Sequence, residues 1–178
     1  TEDLSNLSGN QFLSVEITDS NNCVLFISDI YISEPEPMTI SENHTMVSCY
    51  GESDAAIDIT VTGGSGEYTY NWSNGSVTQD INNLSTGIYF VIATDENDCT
   101  VSIEVEITEP EELIIFSELT NVLCYGDSNG YIDLTINGGL SPYNYFWSNG
   151  ETTEDLSNIG PGLYSVLVTD SNNCTETL

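Results

Sequence analysis

Apolar and polar residues alternate along much of the chain. In AAIDITVT at 55–62, Ile57, Ile59 and Val61 alternate with polar residues, and TVSIEVEI at 100–107 alternates in the same way. Such alternation is typical of a β-strand with one buried and one solvent-facing side. No window shows the spacing of a helix, and turn signals recur roughly every 8 to 12 residues. The pattern predicts an all-β chain built as an antiparallel β-sandwich of immunoglobulin-like type.

Turn residues divide these strands. The run GGSG at 63–66 predicts a turn, and the apolar strand that follows it ends at Trp72. Ser-Asn-Gly at 73–75 then carries Asn-Gly, a strong local signal for a β-hairpin. The segment DINNLSTG at 80–87 is predicted as a short irregular strand or turn.

Landmarks recur at an interval of 75 residues, from Cys49 to Cys124 and from Cys99 to Cys174. Residues 1–23 also resemble residues 153–174, so the chain is a tandem array. We predict the C-terminal half of a truncated module at 1–35, a complete module at 36–110, and a module lacking its last strand at 111–178. Short linkers with Glu-Pro pairs join the modules, which predicts an extended rod with limited bending.

Charge limits the classes of function. The chain has 29 Asp and Glu residues, no Lys or Arg, and a formal net charge of −29. Without cationic side chains it cannot neutralise phosphates, which excludes binding to nucleic acid or to an anionic membrane face. No apolar run reaches the length of about 18 residues that membrane insertion requires.

Catalytic groups are scarce. His44 is the one histidine, and the third module has no counterpart of it. No Ser-His-Asp set or Cys-His pair can be built in each module, so we expect no enzymatic activity.

Five cysteines favour disulfides and an oxidising compartment. The favoured pattern closes each module, with Cys49 bonded to Cys99, Cys124 bonded to Cys174, and Cys23 bonded to a partner upstream. The alternative joins neighbours across module boundaries, Cys23 to Cys49 and Cys99 to Cys124, and leaves Cys174 alone.

Aromatic residues share one face of a strand in both modules. We predict that they fill the core of each sandwich, because a small sandwich needs a buried Trp on a central strand. The alternative is an exposed aromatic strip that stacks on sugar rings. The residues concerned are Tyr68, Tyr70 and Trp72 in one module and Tyr143, Tyr145 and Trp147 in the next.

Acidic turns such as TDENDC at 94–99 allow two interpretations. Asp and Asn are ordinary turn residues because their side chains cap the local backbone. The oxygens of Asp95, Asn97 and Asp98 also occur at alternate or adjacent positions, as in calcium loops, although the EF-hand pattern is not met. Calcium is therefore the one cofactor that the sequence leaves open.

Three consecutive motifs carry a resemblance to a known family. They are C-x-G-(D/E)-x-(D/N)-(G/A)-x-I, then G-G-x-x-x-Y-x-Y-x-W-S-N-G, then G-x-Y-x-V-x-x-T-D-x-x-x-C-T, and they occur in 49–100 and 124–175. The combination resembles the SprB-type repeat of Bacteroidetes cell-surface adhesins.

That resemblance implies a very long extracellular filament, exported by type IX secretion, that mediates attachment and gliding motility. The expected partners are neighbouring modules and an external surface or polysaccharide, bound through many weak contacts. The alternatives are an array of carbohydrate-binding modules on a secreted polysaccharide-active protein, or a stalk stiffened by calcium.

Overall fold

The computed structural model describes residues 3–178, which form antiparallel β-strands and no helix. The predicted all-β class is confirmed. No helix in this range is therefore available to cross a membrane. The strands are β1 Gln11–Thr18, β2 Val24–Ile32, β3 Thr39–Thr45, β4 Ala55–Thr62, β5 Thr69–Trp72, β6 Ile81–Leu84, β7 Gly87–Thr94, β8 Thr100–Ile107, β9 Ile114–Thr120, β10 Gly130–Asn137, β11 Asn144–Trp147, β12 Leu156–Ile159, β13 Val166–Thr169 and β14 Thr175–Thr177.

Strands β1 and β2 form a two-stranded antiparallel sheet of their own. Most of their apolar side chains, including Phe12 and Phe26, are exposed. An isolated hairpin is only marginally stable, since it has no opposing sheet against which to bury its apolar face. This segment thus resembles the last two strands of a module without the sheet that covers them.

The middle module consists of two three-stranded sheets, with strand orders β3-β4-β6 and β5-β7-β8. The predicted alternation places Ile57 and Ile59 of β4 on the inner face, where they are buried. They pack in one cluster with Trp72, Val91 and Val105 of the other sheet. The two inner faces therefore form a shared core, as expected for a β-sandwich.

The third module repeats this plan. Its sheets have the orders β9-β10-β12 and β11-β13-β14, which match the middle module strand for strand. Its core again joins the two inner faces around a Trp, here Trp147 with Leu134, Leu156 and Val168. The sequence repeat is thus a structural repeat.

The two ends of a module carry different loops. The turns at 63–66 and 95–99 lie together, since Ser65 N donates to Asp95 Oδ2 at 2.9 Å. We call this the entry end, because the chain enters β3 there. Loop 46–54 lies at the opposite end, where Val47 N donates to Thr108 O at 3.1 Å as the chain leaves β8. We call this the exit end.

The Asn-Gly hairpin prediction is wrong in its topology. A tight turn does form at Asn74 and Gly75, with Trp72 N donating to Ser76 O at 3.0 Å. Its flanking strands do not pair, because β5 pairs with β7 whereas β6 pairs with β4 in the other sheet. The chain crosses between sheets halfway along the module, so β5 and β6 together make a single pass from the entry end to the exit end.

Candidate functional site at the junction between modules

The turn that carries Cys174 is built around one buried carboxylate. Asp170 is 2% exposed. Its Oδ1 accepts hydrogen bonds from Asn172 N at 2.8 Å and Cys174 N at 2.9 Å, and its Oδ2 accepts one from Leu140 N at 2.9 Å. Asn173 adopts a left-handed φ of 66°, which Asn tolerates better than most residues. These bonds fix the position at which the turn presents its cysteine.

The same turn occurs in the middle module around Asp95, which is also buried. Burial opposes the charged form, but hydrogen bonds from the backbone amides of Cys99, Ser65 and Asn97 outweigh it and lower the pKa of Asp95 below its usual 3.8. A third copy occurs in the first segment, where Asp19 Oδ1 accepts from the backbone N of Cys23 at 2.8 Å.

The loop that carries Cys49 lies at the exit end of the middle module. Glu52 N donates to Cys49 O at 3.1 Å, and Gly51 adopts a φ of 76°. The linker holds this loop, since Gly51 N donates to Glu109 Oε2 at 2.7 Å. The linker and the cysteine loop therefore leave the module as one connected unit.

A diglycine at the entry end of the third module receives the other end of this linker. Gly139 N donates to Glu111 O at 2.9 Å, and a Cβ added at Gly138 would overlap the carbonyl oxygen of Glu112. Only glycine allows the linker backbone to approach so closely at a φ of 70°. The middle module has the same seat, in which Gly63 and Gly64 contact Pro37 and Glu36.

The two modules meet where these elements converge. Cys49 and Cys174 form a disulfide with a Cα–Cα distance of 5.6 Å, across 125 residues of sequence. Beside it, Asn172 Nδ2 donates to Ser48 O at 3.0 Å. The exit end of the middle module thus contacts the entry end of the third, and a covalent bond spans the linker.

Both disulfide patterns considered from the sequence are wrong for Cys49 and Cys174, which bond to each other rather than to Cys99 and Cys124 as favoured. An upstream partner for Cys23 stays a prediction. Cys99 precedes β8 at the entry end, whereas Cys49 lies beside the residue that follows β8 at the exit end. A strand of eight residues separates the two ends by about 25 Å. A disulfide requires Cα atoms within about 7 Å. In the described range Cys23, Cys99 and Cys124 are unpaired and exposed.

The two tryptophans lie in the cores. Trp72 and Trp147 are each 2% exposed, and each indole Nε1 donates to a backbone oxygen, that of Thr78 at 2.9 Å and that of Thr153 at 2.8 Å. Neither indole face is free to stack on a sugar ring. The nearby tyrosines are half-buried: Tyr70 and Tyr145 within β5 and β11, and Tyr68 and Tyr143 just before these strands. All except Tyr68 pack against the neighbouring core cluster.

The oxygens of the turn considered for calcium have other partners. Asp95 Oδ1 accepts from the backbone amides of Asn97 and Cys99, both at 2.9 Å, and Oδ2 accepts from Ser65 N. Asp98 occupies the left-handed position of the turn, with a φ of 62°. Among residues 3–178, no three His, Cys, Asp or Glu side chains gather in a group suited to a metal ion. Calcium binding by Asp95, Asn97 and Asp98 stays the alternative to ordinary turn chemistry that the sequence left open.

Sequence reasoning missed a second pair of tyrosines. Tyr89 Oη donates to Ser85 O, and Tyr164 Oη donates to Gly160 O, both at 3.1 Å. Tyr89 lies at the start of β7 and Tyr164 lies two residues before β13, and each bond ties the tyrosine to the loop four residues upstream, like the tyrosine corner of immunoglobulin-type sandwiches. The repeated G-x-Y spacing at 87–89 and 162–164 was the available signal.

Comparison with known proteins bears on both modules. A family model described as the SprB repeat matches residues 41–77 and residues 117–152. Each match includes the loop with the first cysteine of the module and ends just beyond the Asn-Gly turn, so the two matches cover equivalent parts of the two sandwiches. The comparison with curated proteins gave no match.

Proposed function

We propose, from the premise that this chain is built of SprB repeats, that it is a stretch of a cell-surface adhesin filament. The repeats project a binding region away from the cell or make many weak contacts along their length. Affinity then comes from multivalency, since linked weak sites reinforce one another without any new contact at each site. Export by type IX secretion, a Bacteroidetes host and a role in gliding belong to this proposal.

The junction between modules is the observation that carries the proposal. The exit end of one module contacts the entry end of the next through a linker, a hydrogen bond and a disulfide. Such serial contacts suit a structure that transmits force along its axis. A disulfide also suits a protein that works in an oxidising compartment outside the cell.

Solution scattering tests the extended shape. A compact globule of 178 residues has a radius of gyration of about 16 Å. We expect a distinctly larger value, with a pair-distance distribution that has a long tail. A radius near that of a globule means that the modules pack side by side, which contradicts a filament.

Bead retention tests the adhesion itself. Beads coated with the chain are passed over glass and polysaccharide-coated surfaces under flow, at several coating densities. We expect retention to rise more steeply than in proportion to density, because multivalent attachment needs several bonds at once. Beads coated with polyglutamate to the same charge are the control. Retention equal to that control would falsify the adhesin proposal.

A further inference from the structure

We propose that the Cys49–Cys174 bond is one member of a series. In this series the first cysteine of each module bonds to the second cysteine of the module that follows it, so every junction of a longer array carries a disulfide. The inference depends on the repeat and on the observed junction, and it holds whether or not the filament is an adhesin.

The spacing of the cysteines fits this rule. Cys49 and Cys124 are first cysteines, and Cys23, Cys99 and Cys174 are second cysteines. The bonded pair is separated by 125 residues, which is one repeat of 75 beyond the 50 residues between the two cysteines of a module. Cys124 then requires the second cysteine of a following module, and Cys23 and Cys99 require first cysteines of preceding modules. The rule therefore accounts for the one bond and for the three unpaired thiols.

The unpaired cysteines already have the local geometry of the bonded ones. Asp127 N donates to Cys124 O at 3.1 Å, as Glu52 N does to Cys49 O. The turn at Cys99 keeps the carboxylate cap of the turn at Cys174, with Asp95 in the place of Asp170. Because neither loop needs a bond to reach this conformation, each thiol is positioned in advance for its partner.

The exit end of the third module is an uncovered copy of the surface that is covered in the middle module. Tyr50 is 53% exposed beside the junction, whereas its counterpart Tyr125 is fully exposed. Leu123 is also largely exposed there, whereas its counterpart Ser48 is half-buried. The carbonyl of Leu123 is the counterpart of the Ser48 oxygen that accepts from Asn172. Continuity with the observed junction identifies the occupant as the Thr-Asp-x-x-x-Cys turn of a further copy of this module.

The chemistry of each bond is an ordinary thiol oxidation. Two thiols lose two protons and two electrons to form one S–S bond, and a disulfide oxidant such as oxidised glutathione is reduced to two thiols. An oxidising extracellular compartment supplies such an oxidant.

The test adds one repeat to the chain. Residues 104–178 are appended after Leu178, which occupies the repeat position of Ile103, so β14 reaches the full length of its counterpart β8 and a fourth module follows. The added copy of Glu111 is changed to Arg. Because the chain has no Lys or Arg, trypsin then cuts only in the third linker.

We expect the cut protein to run as one band without reductant and as two bands with it, because Cys124 bonds to the added copy of Cys174. Cys124→Ser should release two fragments without reductant, whereas the matched control Cys99→Ser should not. Two bands from the parent without reductant, or no effect of Cys124→Ser, overturns the series.

A second measurement tests the series even if the added module fails to fold. The 178-residue chain is oxidised at high concentration in a glutathione buffer, and its linked peptides are mapped. The series predicts that Cys124 of one copy bonds to Cys99 or Cys23 of another. Links of Cys124 to Cys124 at comparable frequency contradict it.

Discussion

Replacement of the glycine under the linker tests how the junction is held. Gly138→Ala adds a methyl group that overlaps the carbonyl oxygen of Glu112, at a φ of 70°. Gly150→Ala is the matched control, since its φ is 90° and no atom lies within 4 Å of the added carbon. Both variants share the cost of a left-handed alanine, about 1 to 2 kcal/mol, partly offset by a less flexible unfolded chain.

Gly138→Ala carries two further costs. Relief of the overlap moves the linker and weakens the hydrogen bond from Gly139 N to Glu111 O, worth about 1 kcal/mol. Overpacking against a backbone adds about 1 to 3 kcal/mol. A small domain loses about 4 to 8 °C of Tm for each kcal/mol. Calorimetry should therefore show a drop of about 4 to 8 °C for Gly150→Ala and of at least about 12 °C for Gly138→Ala in the transition of the third module. Equal drops would refute the account of the linker seat.

Four other outcomes follow from the structure. Glu111→Arg creates the one trypsin site of the chain. After the cut, the two fragments should stay joined without reductant unless Cys174→Ser is also present. Separation of the fragments of the Glu111→Arg variant without reductant contradicts the junction disulfide. Acrylamide should quench Trp72 and Trp147 several-fold less than free tryptophan, whereas equal quenching in the native state would restore the sugar-stacking alternative. Burial and the charge of Glu154 raise the pKa of Tyr145 to about 12, so its neutral form stabilises the fold fully below pH 10 and this contribution is lost as the pH rises towards 12. Tyr145→Phe should remove this part of the loss of stability at alkaline pH. A stability–pH profile that is the same in the variant argues against the raised pKa. EDTA should change the Tm by no more than about 2 °C, because losing even about 1 kcal/mol of calcium-binding stabilisation would lower the Tm of a domain of this size by more than that. A larger fall in Tm supports calcium binding by the acidic turns.

Alternation identified the strands because the core is formed by the inner faces of two sheets. A period of two residues follows directly from burial of one face, so β4, β7 and β8 were predictable from side chains alone. The sheet to which a strand belongs leaves no such mark. Strands β5 and β6 have four residues each and belong to different sheets. Their residues give no sign that the chain passes from one sheet to the other between them.

The wrong disulfide and the wrong hairpin have one cause. If Asn74 and Gly75 joined paired strands, β6 would run back towards the entry end and β7 would run towards the exit end. The turn that carries Cys99 would then lie at the exit end beside Cys49, and a bond within the module would be reasonable. Because β5 and β6 instead make one pass, every later loop changes end, and the second cysteine faces the neighbouring module.

Charge explains why a covalent bond is useful at this junction. The chain has 29 acidic residues and no Lys or Arg, and among the described residues the one contact at salt-bridge distance is that of His44 Nδ1 with Glu42 Oε2, 2.7 Å apart within one strand. Ion pairs between acidic side chains and Lys or Arg are therefore not available across the junction. The electrostatic interaction between neighbouring modules is repulsive at low salt. Hydrogen bonds such as that from Asn172 to Ser48 contribute only about 1 kcal/mol each. The linker and the disulfide are covalent connections, so neither charge repulsion nor salt weakens them. If the linker is cut, the disulfide still holds the modules together.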